Sequence, residues 1–282
     1  MIAELPDAIV REIVARALAE DVGSGDITTL ATVDEAARSQ AEIVAKEKGL
    51  IAGLSVARAT FRALDPEVSF QADSSDGQRV IEGQAVASLA GRTRAILTAE
   101  RVALNFLQRM SGIATLTARY VSAVEGTKAR ICDTRKTAPG LRVLDKYAVR
   151  MGGGWNHRTG LFDGVLVKDN HIRVAGGIAE AVRRARASSH HLVRIEVEAQ
   201  SLQQVEEAIA AGVDVIMLDN FQPADMARAV ELIGGRCEVE ASGGITLETV
   251  RTVAECGVDY ISVGALTHSA PALDLSLEIT DE

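Results

Sequence analysis

The stretch with the most reactive side chains is Asp133-Thr134-Arg135-Lys136-Thr137. It follows a stretch that reads as a strand, and it precedes a helical pattern whose Pro139 suits a first turn. Adjacent Arg and Lys beside a helix start make an anion trap from fixed N–H groups, a dipole and two cations. Arg offers a planar fork for a carboxylate and Lys a mobile point charge. Next, Gly152-Gly153-Gly154 lets the backbone bend sharply and approach a ligand, and Trp155-Asn156-His157-Arg158 follows at once. Lys168 closes another apolar strand, so its stem is buried and its head faces the site. There it can bind a carboxylate, form a Schiff base, or pair structurally with Asp169.

Carboxylates come later. Glu196 and Glu198 alternate along one strand and so share a face, and Asp219-Asn220 ends the next strand. Hard carboxylates near phosphate hold Mg²⁺ or ribose hydroxyls. Glu196 also fits a core acid paired with Lys168 or Arg158. Finally, Ser242-Gly243-Gly244-Ile245 and Ser262-Val263-Gly264-Ala265-Leu266-Thr267-His268 run from strand ends into small residues. In parallel barrels the last strand–helix loops cradle phosphate in this way.

The elements that must position these groups alternate. Strand patterns fall at Ala129–Asp133, Gly164–Lys168, Val193–Glu198, Val213–Asp219, Cys237–Ala241 and Tyr260–Gly264. Helical patterns lie at Pro139–Met151, Ile178–Ala187, Leu202–Ala211, Pro223–Ile233 and Leu247–Cys256. Strand then helix, repeated, predicts a parallel sheet. Asp133, Lys168, Glu198, Asp219 and Ser242 all sit at strand ends, which favours a barrel with one reactive face. No Gly-x-Gly-x-x-Gly follows the first strand, so a dinucleotide fold has little support. The first part of the chain reads as a smaller α+β unit. It has helices near 6–20 and 54–64, a Gly- and Asp-rich loop at 20–29, and strands at 41–46, 68–72 and 84–91. A further helix from about Thr98 to Tyr120 is expected to break at Ser111-Gly112. That break sets domains at 1–112 and 113–266, with a tail of about 267–282 returning to the first.

Composition narrows the function. A net charge of −9 disfavours nucleic acid as a partner, yet residues 130–173 are locally basic, which fits an anion site. Three widely spaced cysteines give no zinc pattern. With no signal-peptide pattern and no long apolar run, a cytoplasmic enzyme with no membrane partner is expected.

In order and spacing these motifs resemble the quinolinate phosphoribosyltransferases, the carboxylating nicotinate-nucleotide pyrophosphorylases. The likeness runs from Glu20-Asp-Val-Gly-Ser-Gly-Asp26 through Glu100-Arg101 with Asn105, Ser111-Gly-Ile-Ala-Thr115, Asp133–Thr137, Asn156-His-Arg158, Lys168-Asp-Asn-His171, Leu218-Asp-Asn220 and Ser242-Gly-Gly244 to Val263-Gly-Ala265. Trp155 departs from it, standing where a small aliphatic is expected. The resemblance implies an N-terminal open α/β sandwich and an incomplete, seven-stranded parallel α/β barrel. It implies a homodimer, or a hexamer of dimers, with Arg101 donated across the interface. It implies catalytic roles for Lys136, Lys168, Glu198 and Asp219, with Mg²⁺ on Glu198 and Asp219. Substrate contacts are implied for Arg101, Thr134, Arg135, Lys136, His157, Arg158, Lys168, Glu198, Asp219 and Asn220. They are implied likewise for Ser242, Gly243, Gly244, Val263, Gly264, Ala265 and His268. The substrates would be quinolinate and phosphoribosyl pyrophosphate. The rival readings are an enzyme that takes nicotinate directly, a related protein found beside molybdate transporters, a Schiff-base aldolase acting through Lys168, and a non-catalytic binding barrel.

Overall fold

The computed structural model describes residues 4–280. In chain order the first elements are α1 (Asp7–Val22), α2 (Ile27–Thr32), β1 (Arg38–Ala45), β2 (Gly49–Leu50), α3 (Leu54–Leu64), β3 (Ser69–Ala72), β4 (Arg79–Val80), β5 (Ala85–Arg92) and α4 (Thr93–Ala123). Then come β6 (Arg130–Cys132), α5 (Arg142–Met151), β7 (Val165–Val167), α6 (Asp169–Ala175), α7 (Ile178–Ser188), β8 (Ile195–Ala199) and α8 (Leu202–Ala210). The last are β9 (Val215–Asp219), α9 (Pro223–Ile233), β10 (Glu238–Ser242), α10 (Val250–Glu255), β11 (Tyr260–Ser262), α11 (Ala265–His268) and β12 (Leu275–Thr280).

The chain forms two compact units. One comprises the residues up to Ala118, Thr137–Gly153 and the residues from Thr267 onward. Its sheet is antiparallel, in the order β12-β1-β5-β3. Alternation puts Ala41, Ile43 and Ala45 of β1 on one face, where they join Phe61 of α3, Leu89 of β5 and Leu104 and Leu107 of α4 in the core. The C-terminal strand pairs along β1 from Gln40↔Thr280 to Ala45↔Leu275. The loop expected at 20–29 holds a short helix at its end. Asp26 caps it, taking the Thr29 N–H at 2.9 Å.

The break expected at Ser111-Gly112 does not occur, and α4 passes through both residues. The Ser111 hydroxyl accepts the Ala52 N–H at 3.0 Å. At Gly112 an added Cβ would lie 1.9 Å from the Pro271 carbonyl, so the small residue admits a close-packed chain rather than ending the helix. The compact units therefore do not follow a single cut at 112. The segment expected to carry the first barrel helix belongs to this first unit. Arg109 on α4 grips the buried Asp145 of α5 with two bonds of 2.9 and 2.8 Å.

The second unit comprises Arg119–Lys136 and Gly154–Leu266. Its six strands are parallel, in the order β6-β11-β10-β9-β8-β7. Trp155 adds a single parallel bridge to Cys132 beyond β6. All five residues of β8 are buried, as expected of a strand covered on both faces. All six predicted strands are present within a residue or two. α9 has the predicted limits because Pro223 starts it and Gly234 stops it. α6, which begins directly after Lys168, was not predicted. Among the described residues no helix is long and apolar enough to cross a membrane.

Candidate active site

At the C-terminal end of β6 the Asp133 side chain is fully buried. Its carboxylate accepts the Asn156 side-chain amide at 2.6 Å and the His157 N–H at 2.9 Å, tying the loop after the glycine run to the strand. Arg135 and Lys136 follow, with the Lys136 N–H on the Thr134 hydroxyl at 3.0 Å. The helix expected to begin beside this pair does not. Pro139-Gly140 forms a turn closed by the Leu141 N–H on the Ala138 carbonyl at 3.1 Å, and α5 starts only at Arg142. The anion trap here is therefore cationic side chains without a helix dipole.

Arg158 completes the cationic part. Its guanidinium donates to the Gly164 carbonyl at 3.0 Å. Burial, and then the nearby charge of Arg135, holds its pKa below the usual arginine range. The charge of Arg135 thus disfavours that of Arg158, and an anion bound beside them would relieve it.

Lys168 caps α6, and its ammonium pairs with Glu198. The alternative of a pair with Asp169 is not what forms, because Asp169 folds back onto the Asn170 N–H. Glu198 is buried while Lys168 is about half exposed, so a charged head at the surface offsets a carboxylate inside. Asp219 ends β9, and the Asn220 amide donates to it at 2.9 Å. Asn220 has φ 58, and its N–H bonds the Ser242 carbonyl at 2.9 Å. At Gly243, φ is +101 and a Cβ would meet the Asn220 side-chain oxygen at 2.2 Å, so only glycine lets these two loops interlock. Beside them Ser242, Gly243, Gly244 and the start of α9 line a cavity of about 310 Å³. The Val263 N–H bonds the Cys132 carbonyl at 2.9 Å, and Gly264 and Ala265 lead into α11.

Two expected residues lie in the other compact unit. Arg101 is exposed on α4, and the ring of His268 bonds Ser269 at 2.6 Å.

Glu196 is the largest departure from expectation. It pairs with neither Lys168 nor Arg158. Instead its Oε2 faces the Nε2 of His157 at 3.1 Å, with Glu240 Oε1 at 3.6 Å from the same nitrogen. Glu240 is buried on β10, and the Ser262 hydroxyl donates to it. Burial, and then the Glu196 charge, pushes its pKa up to about 8. These side chains line a cavity of about 270 Å³ reaching Arg194, Val215, Glu238 and Tyr260, at the N-terminal ends of the strands. Glu240 escaped the sequence reading. The signal was there: Glu-Val-Glu-Ala occurs at both 196–199 and 238–241.

The donor atoms of His157, Glu196 and Glu240 lie within 4.8 Å of one another, close enough for a metal. Against that, the Arg158 N–H donates to His157 Nδ1 at 2.7 Å. Nδ1 is thus an acceptor, Nε2 carries the ring proton, and the cluster is hydrogen-bonded rather than metal-ligating.

A parallel sheet with cations, carboxylates and glycine loops at its C-terminal strand ends defines an α/β enzyme acting on small phosphorylated and carboxylated molecules. The chain belongs to the quinolinate phosphoribosyltransferase family: the model of the C-terminal domain matches residues 113–278 and that of the N-terminal domain 26–111. It is 48% identical over 261 residues to a probable nicotinate-nucleotide pyrophosphorylase [carboxylating] of Bacillus subtilis, covering 93% of this chain and 90% of that one. To a protein of the same description from Synechocystis it is 49% identical over 265 residues, with coverage of 93% and 90%. A nicotinate-nucleotide pyrophosphorylase from Francisella tularensis superposes with a TM-score of 0.95 at 42% identity, covering 99% of both chains.

Proposed function

We propose that this protein transfers the phosphoribosyl group of phosphoribosyl pyrophosphate to quinolinate, giving nicotinate mononucleotide, CO₂ and pyrophosphate. The observation that carries this reading is Arg135 set against Arg158 beside a loop fixed by buried Asp133. Such a pair of guanidiniums suits a planar dicarboxylate, whose two acid groups engage two forks at once.

The chemistry needs no covalent enzyme intermediate. The ring nitrogen of quinolinate bonds to the anomeric carbon as the bond to pyrophosphate breaks. The ring becomes cationic, and the adjacent carboxylate leaves as CO₂. Its electron pair stays on the ring carbon, stabilised by the ring charge, and takes up a proton. Positioning and electrostatics carry the rate. Arg135, Lys136, Arg158 and Lys168 hold the anions. An arriving carboxylate competes for Lys168 and loosens its hold on Glu198, which then faces the positive charge developing on the sugar together with Asp219. Both carboxylates are hard oxygen donors on neighbouring strands, and that fits Mg²⁺. Bound there, Mg²⁺ supplies charge neutralisation for the leaving pyrophosphate. The loops at Ser242–Gly244 and Val263–Ala265 are read as the phosphate cradle.

At the finer level, the six strands with the Trp155 bridge are read as an incomplete seven-stranded barrel, and the first unit as an open sandwich. The working form is read as a homodimer with Arg101 reaching the partner's site. The test is an assay for CO₂ and nicotinate mononucleotide from quinolinate, phosphoribosyl pyrophosphate and Mg²⁺. Product from nicotinate but none from quinolinate would overturn the reading.

A further inference from the structure

We propose that Glu240, acting with Glu196, is a positioning residue: it fixes the hydrogen bonding of His157 and, through that ring, the backbone at Arg158. The proposal rests on the substrate role assigned above to Arg158, a residue that Glu240 does not itself contact.

The argument begins with the ring. The Arg158 N–H donates to His157 Nδ1 at 2.7 Å, so the single proton of a neutral imidazole sits on Nε2. That nitrogen faces Glu196 Oε2 at 3.1 Å. Both nitrogens are committed to the protein. The ring therefore acts as a strut whose far end is the Arg158 backbone, while Asp133 holds the His157 N–H at 2.9 Å from the other side.

One acid would be enough to hold His157. A second buried acid beside the first is costly unless it fills a need. Glu196 Oε1 shows the need. It is buried, and no N–H or O–H among the described residues donates to it, although Glu196 is only 8% exposed. Glu240 stands within reach, and its own Oε1 already takes the Ser262 hydroxyl. A proton on the other Glu240 oxygen donates to Glu196 Oε1 and completes the chain. Ser262 then donates to Glu240, Glu240 donates to Glu196 Oε1, His157 donates to Glu196 Oε2, and Arg158 donates to His157. Each oxygen of Glu196 then has a donor, and the imidazole is locked in one tautomer. The upward pKa of Glu240 agrees with this placement of the proton.

Two variants separate positioning from mere support. Glu240→Gln keeps a donor toward Glu196 and an acceptor toward Ser262, so KM for quinolinate should stay within about twofold of wild type. Glu240→Leu removes the donor and should raise KM for quinolinate about tenfold, leaving KM for phosphoribosyl pyrophosphate and kcat within about threefold. The proposal fails if the leucine variant binds quinolinate normally, if the glutamine variant is equally impaired, or if both KM values rise together with a falling melting temperature. Nitrogen NMR of histidine-labelled wild-type protein gives a readout that requires neither folded leucine variant nor substrate. His157 should be the neutral Nε2–H tautomer, and an Nδ1–H tautomer or an imidazolium would overturn the chain. Wild-type protein that shows this tautomer but makes no product from quinolinate would sink the functional reading and leave the hydrogen-bonded chain standing.

Discussion

Arg135 and Arg158 lie on separate loops, yet the charge of one lowers the pKa of the other. Arg135→Ala should raise KM for quinolinate by about 10- to 150-fold, the equivalent of about 1.5–3 kcal/mol for a lost charge-assisted bond. Its melting temperature should change far less than its KM. A large fall in melting temperature with unchanged KM would refute the assignment. Glu240 makes a prediction of the opposite kind. Its folded pKa is raised from 4.5 to about 8, so its favourable contribution is complete below the ordinary carboxylate range. That contribution is lost as pH rises through the folded value. Urea unfolding should therefore show stability falling from about pH 5 to about pH 8, and Glu240→Gln should flatten that slope. An identical slope in the variant would contradict the assignment. The charged motifs were legible in sequence because cations at strand ends are poor packing residues. Glu240 stands in a visible repeat of Glu-Val-Glu-Ala, but its meeting with Glu196, two strands away in the sheet, was not legible there.

At the scale of elements, the rhythm of strand and helix was readable because short stretches rich in Val, Ile and Leu alternate with helical patterns, and because Pro223 and Gly234 punctuate α9. Short pieces escaped, such as α2, α6 and β12, since a few residues carry no period. Small residues misled at Ser111-Gly112: glycine marks both a chain break and a close approach, and the Pro271 carbonyl that decides between them is remote in sequence. The Pro139-Gly140 turn likewise displaced the helix expected beside Arg135. The interlocked loops after β9 and β10 give a direct test. Gly243→Ala places a methyl 2.2 Å from the Asn220 side chain at a positive φ, so Asn220 must shift. KM for phosphoribosyl pyrophosphate should rise by about tenfold or more while KM for quinolinate changes less. Equal change in both would argue that these loops do not hold the phosphates.

For the whole molecule, the proposed dimer makes activity a shared property. Arg101→Ala and Lys136→Ala should each be nearly inactive alone. Mixed under subunit exchange, they should recover about a quarter of wild-type activity, since half the random dimers are mixed and each has one intact site. No recovery despite proven exchange would confine Arg101 to its own subunit. The end of the chain also matters. Leu273 and Leu275 are buried in the first unit's core, and β12 covers one side of β1. Deleting residues 270–282 should abolish cooperative unfolding of that unit, whereas a truncated protein with wild-type urea behaviour would show β12 to be dispensable.

The first compact unit gathers three separate stretches of chain, the last of them supplying an edge strand. For gene recombination between related enzymes this sets a rule of parity. A single crossover anywhere between β1 and β12 marries strands of different parentage along their whole ladder, and those hybrids should be enriched among the misfolded progeny. Paired crossovers on either side of residues 154–266 exchange most of the parallel sheet while both partners of that ladder keep the same ancestor.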